Sequence, residues 1–179
     1  RSATVIERVI AGIRDAGVET IRVVVGWNAE SLIPVLDRCA APWVRNERFA
    51  EGMYASVQAG ARSLPPDVAA FFLMPEDMPL VQGCTLVRLI AEWDARPGGI
   101  LYPCHEGRRG HPPLIASRYI PEILRETPPG GLRELLMRHA MDARNIEVPD
   151  PGILANLDTP EEYRRWSETQ AQPDKPVAP

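Results

Sequence analysis

The chain has 179 residues and a mass of 19.9 kDa, the size of one domain that buries a sizeable core without disulfides or metals. Hydrophobic residues make up 45% and charged residues 25%, and no charge-free stretch exceeds ten residues. Wholesale disorder, a coiled coil and a transmembrane helix are not expected from such a sequence. The net charge of −4 offers no basic surface, so no nucleic-acid partner is expected, and with no membrane segment or signal peptide the expected location is the cytoplasm.

Among the basic residues the only lysine is Lys175; the other 19 are arginines. Any anion held by the body of the domain must therefore be held by arginine forks, backbone N–H groups or a metal. The three cysteines, Cys39, Cys84 and Cys104, fit neither a disulfide framework nor a zinc pattern and read as reduced thiols. Cys104 and His105 are neighbours, but neighbours on a strand point to opposite faces, which argues against a reactive pair.

In chain order, Thr4 to Ala16 reads as an amphipathic helix, with Thr4 and Glu7 at capping-box spacing and Gly17 just past its end. Ile21–Val25 reads as a strand, and Asn28 as the cap of a helix over Ala29–Asp37. Trp43–Asn46 is a short strand, and Gly52–Ala61 a helix ended by Leu64-Pro65-Pro66. Val68–Met74 is the most apolar run and lacks alternation, as a strand covered on both faces should. A helix over Gly83–Ala95 and strands over Gly99–Pro103 and Pro113–Ala116 follow. Leu132–Met141 reads as a helix, Asn145–Val148 as a strand, and Thr159-Pro160-Glu161-Glu162 as the opening of the last helix. Residues 1–166 are expected to form one domain, and 167–179 a polar, Pro-rich tail or linker.

Alternating helices and apolar strands give a mostly parallel α/β sheet with helices on both faces, into which the antiparallel-looking segment 99–116 reads as an insertion. The chain opens, however, on a helix that feeds a buried strand. A right-handed β-α-β crossover wants a strand before that helix. An N-terminal strand and loop are therefore expected to be missing from this sequence, whose first residue is not methionine.

Ligands of open α/β sheets bind beyond the carboxyl ends of the strands. There the strand 68–74 runs into Pro75-Glu76-Asp77-Met78-Pro79. An acid pair at a strand tip suits Mg2+, which takes one or two carboxylates plus phosphate oxygens; it equally suits a turn stabilised by its own carboxylates. Asp158 precedes a helix N-terminus, where it either caps the helix or serves a site. Glu106-Gly107-Arg108-Arg109-Gly110-His111-Pro112 would expose glycine N–H groups and two guanidinium forks together, as an anion site needs, or it is a solvated hairpin loop. Pro129-Gly130-Gly131-Leu132-Arg133, at a helix start, is a weaker version. No dinucleotide, P-loop, serine-hydrolase or zinc-protease signature occurs.

Four segments in order resemble the MobA-like NTP transferase family of molybdenum-cofactor nucleotidyltransferases. They are Asn46–Phe49 with Gly52-Met53 and Ser56–Gly60; Met74–Val81; Gly107–Pro112, with its Gly-His-Pro; and Leu157–Glu162, with its Asp-Thr-Pro. The similarity spans about residues 3–165, and the Gly-His-Pro and Asp-Thr-Pro elements resemble the cytidylyltransferase side more than the guanylyltransferase side. It implies a Rossmann-like three-layer α/β/α fold, of the nucleotide-diphospho-sugar transferase type. It also implies transfer of CMP or GMP from CTP or GTP to the phosphate of molybdopterin, with release of pyrophosphate. By the same resemblance Asp77 and Asp158 would be catalytic Mg2+ ligands. Arg108, Arg109, Gly110 and His111 would contact the pterin-phosphate side, and Gly52, Met53 and Ser56 the nucleotide side. A molybdoenzyme or its maturation chaperone would be a further partner. Two departures stand out: Glu76 occupies a position usually held by a small residue, and the family's glycine-rich triphosphate loop, which belongs before residue 1, is missing. A sugar-phosphate nucleotidyltransferase or glycosyltransferase of the same architecture, or a non-catalytic cofactor-binding module, are the alternatives.

Overall fold

The computed structural model describes residues 3–159 and 161–164. The proline expected to open the last helix and the expected tail lie outside these residues. The chain folds as α1 (Val5–Asp15), β1 (Val23–Val25), α2 (Ala29–Arg38), β2 (Trp43–Arg45), α3 (Met53–Arg62), β3 (Ala70–Phe72), α4 (Gly83–Ala95), β4 (Ile100–His105), β5 (Arg108–Arg109), β6 (Leu114–Ala116), α5 (Ile120–Arg125), α6 (Gly131–Arg138) and β7 (Ala143–Glu147). This is the expected α/β architecture. The Thr4–Glu7 capping box forms with both reciprocal bonds, and Gly17 takes the left-handed conformation past the end of α1, with φ 81°. Asn28 sits at the N-cap of α2 but is itself left-handed, with φ 53°, and its side chain makes no cap bond.

β1 pairs in parallel with β2 and forms a two-stranded sheet. A second sheet has the order β3-β6-β4-β5, with β7 parallel to β4 on the latter's other side. β6 runs antiparallel to both β3 and β4. The segment 99–116 is therefore no insertion. β4 is the hub of the second sheet, and Ile100, Leu101 and Ile115 are all 0% exposed, because both faces of these strands are covered. Sequence order hides this placement, since β6 slots between two strands that precede it.

Helices cover both faces. α1 and α2 share one core cluster built on Ile10, Val25 and Leu36, and α1 also packs on α4. On the other face α3, α5 and α6 enclose Tyr54, Ile115, Ile123 and Leu135. α5 went unread in the sequence because one and a half turns containing Pro121 carry too little periodicity. Gln58, 4% exposed, ties α3 to it by donating to the carbonyls of Ile123 and Glu126, both at 2.9 Å.

Candidate active site

The two acids picked out in the sequence lie on adjoining segments. The Asp77 carbonyl, in the turn beyond β3, accepts the Leu157 N–H at 2.8 Å, which sets the residue before Asp158 against it. Capping of the last helical turn falls to Thr159: its hydroxyl accepts the Glu162 N–H at 3.2 Å, while the Glu162 carboxylate accepts the Thr159 N–H at 2.9 Å. The exposed Asp158 carboxylate is thereby left out of the cap and takes a hydrogen bond from the Asn156 side chain.

Asp150 holds these segments in place. It is 1% exposed. One carboxylate oxygen accepts the Gln82 N–H at 2.9 Å and the Thr85 hydroxyl at 2.6 Å; the other accepts the Gly152 N–H at 2.9 Å. It therefore ties the end of the Asp77 turn and the start of α4 to the segment leading to Asp158. A Cβ on Gly152 would collide with the Leu80 carbonyl, and one on Gly110 with the Ile153 carbonyl; both glycines are there for close backbone approach. Sequence reasoning missed Asp150, because Pro149–Pro151 reads as an exposed turn.

The Arg108–His111 loop departs from its expected form. The Gly110 N–H donates to the Pro103 carbonyl at 2.8 Å and the His111 N–H to the Ile153 carbonyl at 2.9 Å. Neither is free for an anion, because the loop is stitched into the sheet as β5. What it can offer is side chains. Arg109 donates from Nε to Asn145 Oδ1 at 2.7 Å, and its guanidinium lies 4.4 Å from the centre of the Tyr102 ring. Arg108 and Arg109 are both exposed, and as strand neighbours they point to opposite sides. His111 is exposed, yet partial desolvation by its surroundings holds the imidazole below its usual pKa, and the nearby Asp77 carboxylate opposes this. At the weaker glycine site the Gly130 N–H is taken by the Glu134 carboxylate at 2.8 Å, so α6 satisfies its own N-terminus.

On the α3 side, Gly52 has φ 102°, which admits glycine and little else. Met53 is 85% exposed. The Ser56 hydroxyl accepts from Asn46 Nδ2 at 3.0 Å, and Asn46, 4% exposed, also accepts the Arg48 N–H at 2.9 Å. Asn46 thus positions Ser56, a role the sequence did not disclose.

A cavity of about 1260 Å3 brings Met53, Ser56, Glu76, Asp77, Arg109 and His111 to one lining, which Arg108 and Gly110 also join; Gly52 and Asp158 are not part of it. Among the described residues no three His, Cys, Asp or Glu side chains gather to cage a metal. Two carboxylates on abutting segments fit a hard cation that keeps oxygen ligands from water and phosphate. Cys104 is buried, and burial pushes its thiol pKa up, which leaves it unreactive.

A three-layer α/β fold with acids beyond its strand ends is shared by nucleotidyltransferases and other α/β enzymes. The chain belongs to the MobA-like NTP transferase domain family, whose model matches residues 1–143; Asp77 and the Arg108–His111 loop fall inside that match and Asp158 outside it. Solved structures agree on the fold. Rv0371c from Mycobacterium tuberculosis H37Rv is 25% identical, with a TM-score of 0.76 over 94% of this chain and 86% of that one. Its complex with manganese gives 24% identity and the same TM-score, over 94% and 88%. A nucleotidyl transferase from Methanothermobacter thermautotroptrophicus is 22% identical, with a TM-score of 0.77 over 94% and 81%. Molybdopterin-guanine dinucleotide biosynthesis protein A from Archaeoglobus fulgidus is 18% identical, with a TM-score of 0.64 over 94% and 86%. No curated protein matches the chain.

Proposed function

We propose that this protein is a cytoplasmic nucleotidyltransferase of molybdenum-cofactor synthesis. It transfers CMP or GMP from CTP or GTP to the phosphate of molybdopterin and releases pyrophosphate. The observation that carries the reading is the bond from the Leu157 N–H to the Asp77 carbonyl, which draws two acid-bearing segments 80 positions apart in sequence to one cleft mouth. Asp77 and Asp158 would hold Mg2+. When bound there, the ion would supply polarisation of the α-phosphate and charge compensation for the departing pyrophosphate. Arg109, braced by Asn145 and Tyr102, binds the acceptor's phosphate. Ser56, oriented by Asn46, and Met53 lie toward the nucleotide. Gly52 and Gly110 act through the backbone shapes they permit. The transferase domain covers residues 1–166, with 167–179 as its tail, and the product passes to a molybdoenzyme or its chaperone.

Pyrophosphate release by the gene-encoded protein with CTP or GTP, Mg2+ and molybdopterin tests this reading. Release with one nucleotide and molybdopterin is the expected result. Release only with a sugar phosphate as acceptor, or molybdopterin binding without any release, overturns it in favour of a sugar nucleotidyltransferase or a carrier respectively.

A further inference from the structure

Three neighbouring strands set Arg109 over a neutral bed. β4 pairs in parallel with β7, which places Tyr102 beside Asn145, and antiparallel with β5, which places Cys104 beside Arg109. Tyr102 and Cys104 are two apart on one strand and share a face of the sheet, so all four side chains stand on that face. From β5 the Arg109 side chain runs diagonally across β4. It lays its guanidinium 4.4 Å from the centre of the Tyr102 ring and donates from Nε to Asn145 Oδ1 at 2.7 Å. An arginine Nε–H can only donate, so the amide oxygen of Asn145 must be the atom that faces it.

Other arginines are held differently. Among the described residues eight are ion-paired, including Arg45 with Glu30, Arg48 with Glu51 and Arg138 with Glu134. Arg14 and Arg144 donate to carbonyls at the ends of α2 and α4, where a cation is favoured. Arg109 is ordered by its neighbours, yet no carboxylate offsets it. Glu147, two along β7 from Asn145 and on the same face, turns its carboxylate to the Glu106 N–H at 2.8 Å instead. With Nε taken, the two terminal amino groups of Arg109 are left. They aim parallel donors at one anionic centre that presents two oxygens, the end-on grip of a guanidinium on a phosphate or carboxylate. Arg109 lines the cavity, whereas Asn145 and Tyr102 do not, so both act on a ligand through Arg109.

We infer that Asn145 is a positioning residue for anion binding in the cleft: backed by Tyr102, its neutral amide fixes Arg109 for an end-on grip and leaves the guanidinium charge whole for the ligand. A carboxylate at that place would hold Arg109 equally well but cancel its charge. That the anion is the acceptor's phosphate rests on the reaction proposed above; the brace itself does not.

Inorganic phosphate, titrated into the gene-encoded protein and followed by the backbone amide shifts of Cys104 and Arg109, tests the brace without any turnover. Arg109→Ala should abolish the response. Asn145→Asp should weaken phosphate at least about fivefold, the effect of one opposing charge some 4 Å away even in water. Asn145→Ala should weaken it less, by about twofold, the lower end of the cost of ordering one long side chain. In the transfer assay both variants should raise the acceptor KM and leave the nucleotide KM and the thermal midpoint in place. The order of the two variants is the decisive readout. A role in strand packing alone gives the reverse order, because aspartate matches asparagine in shape and alanine does not; a role as a bare anchor makes Asn145→Asp bind phosphate more tightly. Either of these results overturns the inference, as does a phosphate response that survives Arg109→Ala or is unchanged in both Asn145 variants. If phosphate binds in the expected order but no nucleotide reaches the acceptor, the proposed reaction fails and the brace stands.

Discussion

The two halves of the sheet are made of the same kinds of residue and differ in their burial. In β4 and β6, Ile100, Leu101, Leu114 and Ile115 are buried. In β1 and β3, Val23, Val24, Phe71 and Phe72 are only half-buried, although Val68–Met74 is the most apolar run in the sequence. Both halves carry helices on both faces. What separates them is lateral: β4 and β6 have strands on either side, whereas β1 and β3 each have one bare edge. A strand's burial is thus set by its neighbours in the sheet as much as by the helices over it. The cleft lies where the two halves meet, with Asp77 from the turn beyond β3, Arg109 and His111 from the segment after β4, and Ser56 from α3.

The sharpest break between a residue of the site and a residue of the frame is Asp77→Asn. A partly exposed carboxylate contributes little packing, so the thermal midpoint should hold. Transfer should fall by more than about 100-fold, beyond the roughly 10- to 100-fold typical of groups one shell further out. Asp158→Asn should behave alike. Retention of activity in either variant, measured as pyrophosphate release, would separate that acid from the metal.

Next in size is a direct test of the two halves by urea unfolding. Ile115→Ala removes a fully buried side chain and should cost about 2–5 kcal/mol. Val24→Ala, beside the cavity, should cost less, about 0.5–1 kcal/mol, since the side chain is only partly buried. Equal losses would mean that the cavity beside β1 is closed in solution. Arg109→Ala should weaken acceptor binding by about 1.5–3 kcal/mol and leave nucleotide binding untouched, as titration calorimetry with each ligand would read. Asp150→Asn replaces an acceptor of three hydrogen bonds by an amide that can accept at only one oxygen. It should cost about 1–3 kcal/mol of stability and lower transfer by loosening Asp158; a change in stability without a change in rate would confine Asp150 to the frame.

The sequence showed most clearly what is local. The capping box at Thr4, the glycine past α1 and the acid-bearing strand tip at Asp77 all depend on residues within a few positions of one another. It was silent where the fold sets remote groups together. The hub position of β4 depends on β6 crossing back between β3 and β4. The Gly110 and His111 N–H groups of the arginine loop looked free because their acceptors, the carbonyls of Pro103 and Ile153, belong to other segments. Asp150 looked like a turn residue for the same reason: its partners Gln82 and Thr85 lie some 65 positions or more away.

The smallest expected effect, and the finest probe of the cleft, is the titration of His111. Partial desolvation disfavours the imidazolium, so its pKa in the folded protein lies below its ordinary value of 6.5, which the unfolded chain keeps. Above pH 6.5 both states are neutral there and His111 adds nothing to the pH dependence of stability. As the pH falls below 6.5 the unfolded state takes up the proton first, so stability declines until the folded pKa is passed and is level below it. The Asp77 carboxylate restrains this shift by favouring the charged ring. Asp77→Asn should therefore move the His111 midpoint, followed by imidazole NMR, further down, and a divalent cation bound at Asp77 should do the same in the unsubstituted protein. A midpoint at or above 6.5 would mean that the cleft does not desolvate the ring. A midpoint indifferent to Asp77 would mean that the loop and the strand tip do not face each other across the cleft.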